Sequence, residues 1–386
     1  MLKKLLLLTL LLGIGSQLYI GRSPTSTQQV APPQTAPAVK SAVNEKDVPE
    51  MKDILSDNQE TRLKAGRRLV ERVGVEEALE ILEHSTLPHT GEGHLVVHQI
   101  GFYAYQKYGS EGILKCKDYF LFACYHGVII EAASDKGTPA IAKMTDICKE
   151  SPTRFFQCTH AAGHAILAMY EYDLRQALTT CDELYEKETN FPEALSSCHN
   201  GAFMENLFGV HDWGKDKTPK RDWLKDDEAY FPCTTFGEKY QRGCWLNQAA
   251  RIYQLNKGDL KKTALLCEKT GNKQYVEWCF DNLARQIHPL TNGDTTEVAP
   301  LCSTLGDFWK DGCIIVNAGA YYSVGDRDAG FKVCTSLIEP AQGICFQKLM
   351  GQIIGDTVSA SEKQVLCARL PNNLSGMCTT QLGIGT

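Results

Sequence analysis

The sequence has no long block of lysines and arginines, and 40 Lys+Arg set against 46 Asp+Glu leave a formal net charge of −6. Nucleic-acid binders gather positive charge on one face, so DNA and RNA are not expected partners. There is no C-x-x-C-H, which removes covalent haem attachment. A P-loop, a G-x-S-x-G elbow and a dinucleotide glycine pattern are also missing, so no named reaction announces itself. No cysteine precedes Cys116, and hence no lipobox is present near the N-terminus.

What is present begins with Lys3 and Lys4 ahead of an apolar run from Leu5 to about Ile20, the layout of an export signal. Gly13 and Gly15 offer small residues for a cut near Ser16, but no A-x-A motif fixes it. Residues 1–21 are therefore expected to be a signal peptide or an uncleaved N-terminal anchor, the chain's one route to a membrane. Residues 22–47, rich in Pro, Ser, Thr, Gln and Ala, lack the hydrophobes that offset ordering entropy and read as a disordered linker. The location implied is periplasmic or extracellular.

All 16 cysteines lie between Cys116 and Cys378. An even number in an exported chain implies disulfides. Taken in order they pair as Cys116 with Cys124, Cys148 with Cys158, Cys181 with Cys198, Cys233 with Cys244, Cys267 with Cys279, Cys302 with Cys313, Cys334 with Cys345 and Cys367 with Cys378. The first members recur every 32 to 35 residues apart from one long step after Cys181. The first cysteine of a pair tends to end an apolar helical stretch, as in ALTTCDEL, and the second is expected in the first turn of another, as in VEWCFDNLARQI. A fixed period of this size is the signature of stacked helical hairpins. The fold predicted for 48–386 is all-α: an α-solenoid or partly closed toroid of hairpins with a period of about 33 residues, one disulfide in each repeat. The period is similar to that of tetratricopeptide and Sel1-like arrays, but the Trp, Gly, Tyr and Ala positions that define those families are missing, so the likeness is architectural. The long step predicts an insertion at about 209–230, a polar surface excursion carrying Trp213 and Trp223.

Eight of the ten histidines fall between His84 and His199. Numbered from the second cysteine of each hairpin, His126 and His160 occupy Cys+2 and His164 occupies Cys+6. His94 and His98 take the same slots in a leading repeat without cysteines. At 100° per residue these slots point about 200° and 240° away from the cysteine, toward the concave side of a curved array. Two histidines at i and i+4 can chelate one ion, so His94, His98, His126, His160 and His164 are the predicted metal ligands. With helices assumed to be ~8–10 Å apart, one five-histidine site needs strong curvature, and two neighbouring sites sharing His126 fit more easily. Imidazole donors favour Cu or Zn, with Fe compatible if a carboxylate joins. Secondary candidates for ligand or anion contact are His199, Glu131 and Glu205, with Asp281, Arg285 and His288 as a second polar cluster. Glu131 and Glu205, at Cys+7, point about 340° around and back toward the cysteine side, which weakens them as ligands.

The predicted function is an exported helical-repeat protein with a histidine-rich transition-metal site, acting as a metalloenzyme or in metal handling. Two other readings fit the same pattern. One is a metal-free scaffold whose groove binds a peptide, protein or glycan. The other is a helical-toroid enzyme that cleaves glycans.

Overall fold

The computed structural model describes residues 47–89, 91–209, 222–356 and 358–383, all within one compact unit, 38–386. The expected signal 1–21, the linker 22–47 apart from its last residue, and residues 210–221 of the expected insertion lie outside the described residues. Among the described residues no helix is long and apolar enough to cross a membrane.

The fold is all-helical, with hairpins stapled at the predicted period. Helices α1 (Met51–Ile54), α2 (Gln59–Val73), α3 (Val75–Glu83) and α4 (Glu92–Tyr108) precede the first disulfide. Next come α5 (Tyr119–Lys136), α6 (Thr138–Cys148), α7 (Pro152–Met169), α8 (Leu174–Tyr185), α9 (Glu193–Phe208) and α10 (Glu238–Leu255). The chain continues through α11 (Leu260–Glu268), α12 (Lys273–Arg285), α13 (Val298–Ser303), α14 (Asp307–Ser323), α15 (Arg327–Thr335), α16 (Ala341–Gly355), α17 (Ala360–Ala368) and α18 (Asn372–Gln381). Helices α4, α5, α7, α9, α10, α12, α14, α16 and α18 form one continuous row, each packed on the next, and α6, α8, α11, α13, α15 and α17 flank it.

The turns between the two sets are written locally. Gly258-Asp259, Gly293-Asp294 and Gly325-Asp326 each place a glycine at positive φ, ending one element. The aspartate that follows caps the next, accepting from the backbone N–H of Lys262, Thr296 or Ala329 at 2.9 to 3.1 Å, worth ~1 kcal/mol per cap.

All eight disulfides join sequential cysteines, with Cα separations of 5.4 to 6.5 Å. Cys116 bonds to Cys124, Cys148 to Cys158, Cys181 to Cys198 and Cys233 to Cys244. In the second half Cys267 bonds to Cys279, Cys302 to Cys313, Cys334 to Cys345 and Cys367 to Cys378. Their placement within the helices corrects the sequence reading in one respect. The second cysteine was expected in the first turn of its helix, but Cys279 follows the start of α12 at Lys273, Cys313 the start of α14 at Asp307 and Cys345 the start of α16 at Ala341 by at least one full turn. Each inner helix starts before it comes level with the end of its flanking helix, so the residue that faces Cys267, Cys302 or Cys334 lies in the second turn. Cys279, Cys313 and Cys345 are buried there as bridging sulfurs, and no free cysteine exists. Bonds of this kind mark an oxidising, exported environment.

One hairpin departs from the pattern. Cys233 sits in a 3-10 turn, Cys233–Thr235, and among the described residues no α-helix precedes it in the flanking set. Trp223 fills that place, its ring 6.1 Å from Phe231 and 5.2 Å from Phe236. Gln248 of α10 donates to the carbonyls of Ala229 and Phe231. Trp223 and residues 229–231 thus pack against the body, while Asp222 and residues 225–228 are exposed, as expected of a polar surface stretch.

The row curls until α14 packs against α5. The contact is clinched by Arg327, whose guanidinium lies 3.6 Å from Glu83, 3.3 Å from Asp356 and 3.8 Å from Glu362. Gly325 is required here, since a Cβ would collide with the His89 ring. Three carboxylates share one cation in a buried place. Burial above all, with Asp356 and Glu362 adding to it, pushes the Glu83 carboxyl up to about 8 against the opposing pull of Arg327. A carboxyl whose folded pKa is raised contributes stability that is fully present below its unfolded value and is lost as pH rises through the folded one. Between about pH 4.5 and 8 the contact is therefore expected to weaken by up to ~1.4 kcal/mol per pH unit. Glu83→Gln should flatten the fall in melting temperature over that window. Parallel melting curves of variant and parent from pH 5 to 9 would refute the assignment.

Candidate metal centre

The five predicted histidines lie on α4, α5 and α7, consecutive members of the inner row. How closely these helices approach decides whether their side chains can meet. A Cβ at Gly101 would overlap the Cys124 carbonyl, and one at Gly127 the His98 carbonyl, so α4 and α5 touch backbone to backbone. Gly163 and Gly201 do the same for α7 and α9 against Cys198 and His160. The helices are closer here than the ordinary spacing of ~8–10 Å assumed from sequence. That approach and the curl of the row bring the imidazoles together.

They form two triads sharing one member, His94/His98/His126 and His126/His160/His164, with the ligand nitrogens of each triad within 4.8 Å of one another. The Nε2 atoms of His94 and His98 stand 2.9 Å apart, those of His160 and His164 3.1 Å, and His126 Nδ1 is 3.4 Å from His94 Nε2. Nitrogens ~2.0–2.1 Å from one ion stand ~2.9–3.4 Å apart at right-angle to tetrahedral geometry. The groups could hold a metal ion on each side. His98, His126 and His164 are 2%, 5% and 3% exposed, whereas His94 and His160 are half-buried and form the accessible edge.

Both triads have an outer tie. His94 Nδ1 is 2.7 Å from the Phe120 carbonyl, which can only accept, so that nitrogen carries the proton and Nε2 keeps its lone pair inward. His164 Nδ1 is 2.9 Å from Glu205 Oε2, and Tyr172 donates its hydroxyl to Glu205 Oε1 at 2.6 Å. The same tautomer follows. A carboxylate or carbonyl behind a histidine is the arrangement that orients metal-binding imidazoles. The backbone is strained at both ties. Phe120, Leu121 and Phe122 have φ of 52°, 54° and 63°, and Glu171 and Tyr172 have 52° and 69°. Such left-handed residues cost ~1–2 kcal/mol each and concentrate at functional sites.

Burial first, and then the neighbouring imidazoles led by His164, holds His126 well below the ordinary histidine range; burial first and His164 next push His160 down to about 3. Neutral imidazole is the form that binds metal.

The secondary candidates separate. Glu205, fully buried, stands directly behind His164. Glu131 instead accepts from Gln106 at 2.7 Å. His199 is buried against Asp182 at 2.9 Å, with Tyr240 and Lys239 on the other carboxylate oxygen. Asp281 and Arg285 pair with each other at 3.2 Å on an open helix face, while His288 packs edge-on against the Tyr321 ring at 4.5 Å. Tyr172 and the Phe120 carbonyl were missed because no sequence signal marks a left-handed turn inside YFLFACYH or after α7. No protein-family model, curated protein or solved structure matches the chain.

Proposed function

We propose that this is an exported transition-metal protein in which His94, His98, His126, His160 and His164 ligate copper or zinc. Iron is accommodated if a carboxylate such as Glu205 turns inward. The observation that carries the reading is the relay His164–Glu205–Tyr172, a fully buried carboxylate fixing the tautomer of a histidine whose other nitrogen meets a second histidine. The buried His199 has a comparable support in Asp182 and Tyr240, so what sets His164 apart is the second imidazole that meets its inner nitrogen.

Three nitrogens around an ion leave a coordination position open, as in catalytic zinc sites and unlike closed structural ones. The eight disulfides already hold the helices, so an ion is not needed for folding. The reading is therefore a reactive or exchangeable metal, in an enzyme or a metal-handling protein of the periplasm or the cell exterior. The N-terminal segment serves as its export signal or tether.

The test is elemental analysis of protein folded with its disulfides intact, offered Cu, Zn and Fe and freed of excess. At least one tightly held equivalent is expected. A metal-free protein would leave the scaffold reading, with a peptide or glycan in the groove.

A further inference from the structure

The metal-binding reading leaves one residue claimed twice. His126 belongs to both triads. Its ring centroid is 5.2 and 5.6 Å from those of His94 and His98, and 5.7 and 5.1 Å from those of His160 and His164. It stands between the pairs, with Nδ1 turned toward His94.

A single ion does not explain this arrangement. Ligand atoms of one ion are at most ~4.2 Å apart, twice a bond of ~2.1 Å. The five histidines come together only as two separate groups, each within 4.8 Å. Nor is either triad a leftover of the other. His94 has the Phe120 carbonyl behind it and His164 has Glu205, two independent supports delivered by two separate stretches of left-handed backbone.

Resting on the metal-binding reading, we infer that the two triads hold two ions at once, bridged by the ring of His126 with one nitrogen to each. A neutral imidazole has a single in-plane lone pair, so the first ion takes the unprotonated nitrogen. Binding the second forms a new metal–nitrogen bond and breaks the remaining N–H bond. The electron pair of that bond becomes the donor pair, and the proton leaves to solvent past the half-buried His94 and His160. No oxidation state changes. The triads differ in what stands behind them: a neutral carbonyl for His94, a carboxylate for His164. The carboxylate raises the basicity of its histidine, so the triad of His126, His160 and His164 fills first.

Cupric ion reports both number and bridging. The full, disulfide-intact chain is loaded with Cu(II), freed of excess, and measured by elemental analysis and low-temperature electron paramagnetic resonance. Two coppers per chain are expected, with a spin count well below two, because a bridging imidazolate couples two cupric spins antiferromagnetically. His126→Ala should restore a full spin for each copper it retains. If that variant fails to fold, copper number and spin count of the parent decide the matter alone. No retained copper would remove the metal-binding reading itself. One copper per chain, or two with a full spin count, would leave that reading standing and overturn the bridge.

Discussion

Reduction of the eight disulfides is expected to unfold the protein at temperatures where the oxidised form is fully native. Each bond closes a loop of 8 to 17 residues within one hairpin. In the chain-entropy picture such loops are worth ~2.5–3 kcal/mol apiece. A native domain keeps only ~5–15 kcal/mol of net stability, so the bonds together outweigh the whole margin. Hairpin arrays are especially exposed to this loss because each repeat touches little beyond its neighbours. Circular dichroism melts of the oxidised protein and of protein reduced and alkylated in denaturant, then returned to buffer, make the comparison. Alkylated protein that regains its helicity and a cooperative transition within a few degrees of the parent would show that the apolar row alone carries the fold.

The disulfide pairing was legible in the sequence because it is local. Two cysteines about ten residues apart, one ending a helix and the other near the start of the next, have few other partners in a tight hairpin. Where the second helix begins was less legible, because QYVEW ahead of Cys279 and DFWKDG ahead of Cys313 carry no strong stop between turn and helix. The histidine slots were legible because helical periodicity puts Cys+2 and Cys+6 on one face wherever the helix goes, and His126, His160 and His164 repeat those slots. What depends on distance between helices was not legible. Nothing in HQIG or CYHG states that Gly101 and Gly127 touch, yet that contact lets His94 and His98 meet His126. The curl that packs α14 on α5 also brings Arg327 to Glu83, more than two hundred positions away, beyond the reach of any pattern within a repeat.

Glu205 shows what an angular argument about ligands leaves out. Its position on α9 was judged against its own cysteine, which put it near the flanking side. The relevant neighbour is α7. Where Gly163 and Gly201 bring the two backbones together, the next turn of α9 carries Glu205 up to His164. An angle on an isolated helix locates a side chain relative to that helix; a ligand's support comes from the helix beside it.

The largest functional effect is expected from the triad that this carboxylate supports. Replacing His160 and His164 together by Ala removes two of its three donors, so tight metal binding on that side should disappear while His94, His98 and His126 keep theirs. The helices should persist, because Cys148–Cys158 and Cys181–Cys198 hold the surrounding hairpins independently of the ring nitrogens. Glu205→Gln tests the same triad without touching a ligand. The amide matches the carboxylate in size and still accepts from Tyr172, but it brings no charge to His164. Loss of such outer partners costs about 10- to 100-fold in metal affinity, and that is the expected weakening, read by competition with a chelator of known strength. Tyr172→Phe, which leaves the charge in place and removes only the donor at 2.6 Å, should fall between Glu205→Gln and the parent. This graded order is what a support role requires. Equal affinity in all three proteins would make the carboxylate a packing residue, and unaltered metal retention by the double histidine variant would move the ion away from His160 and His164 altogether.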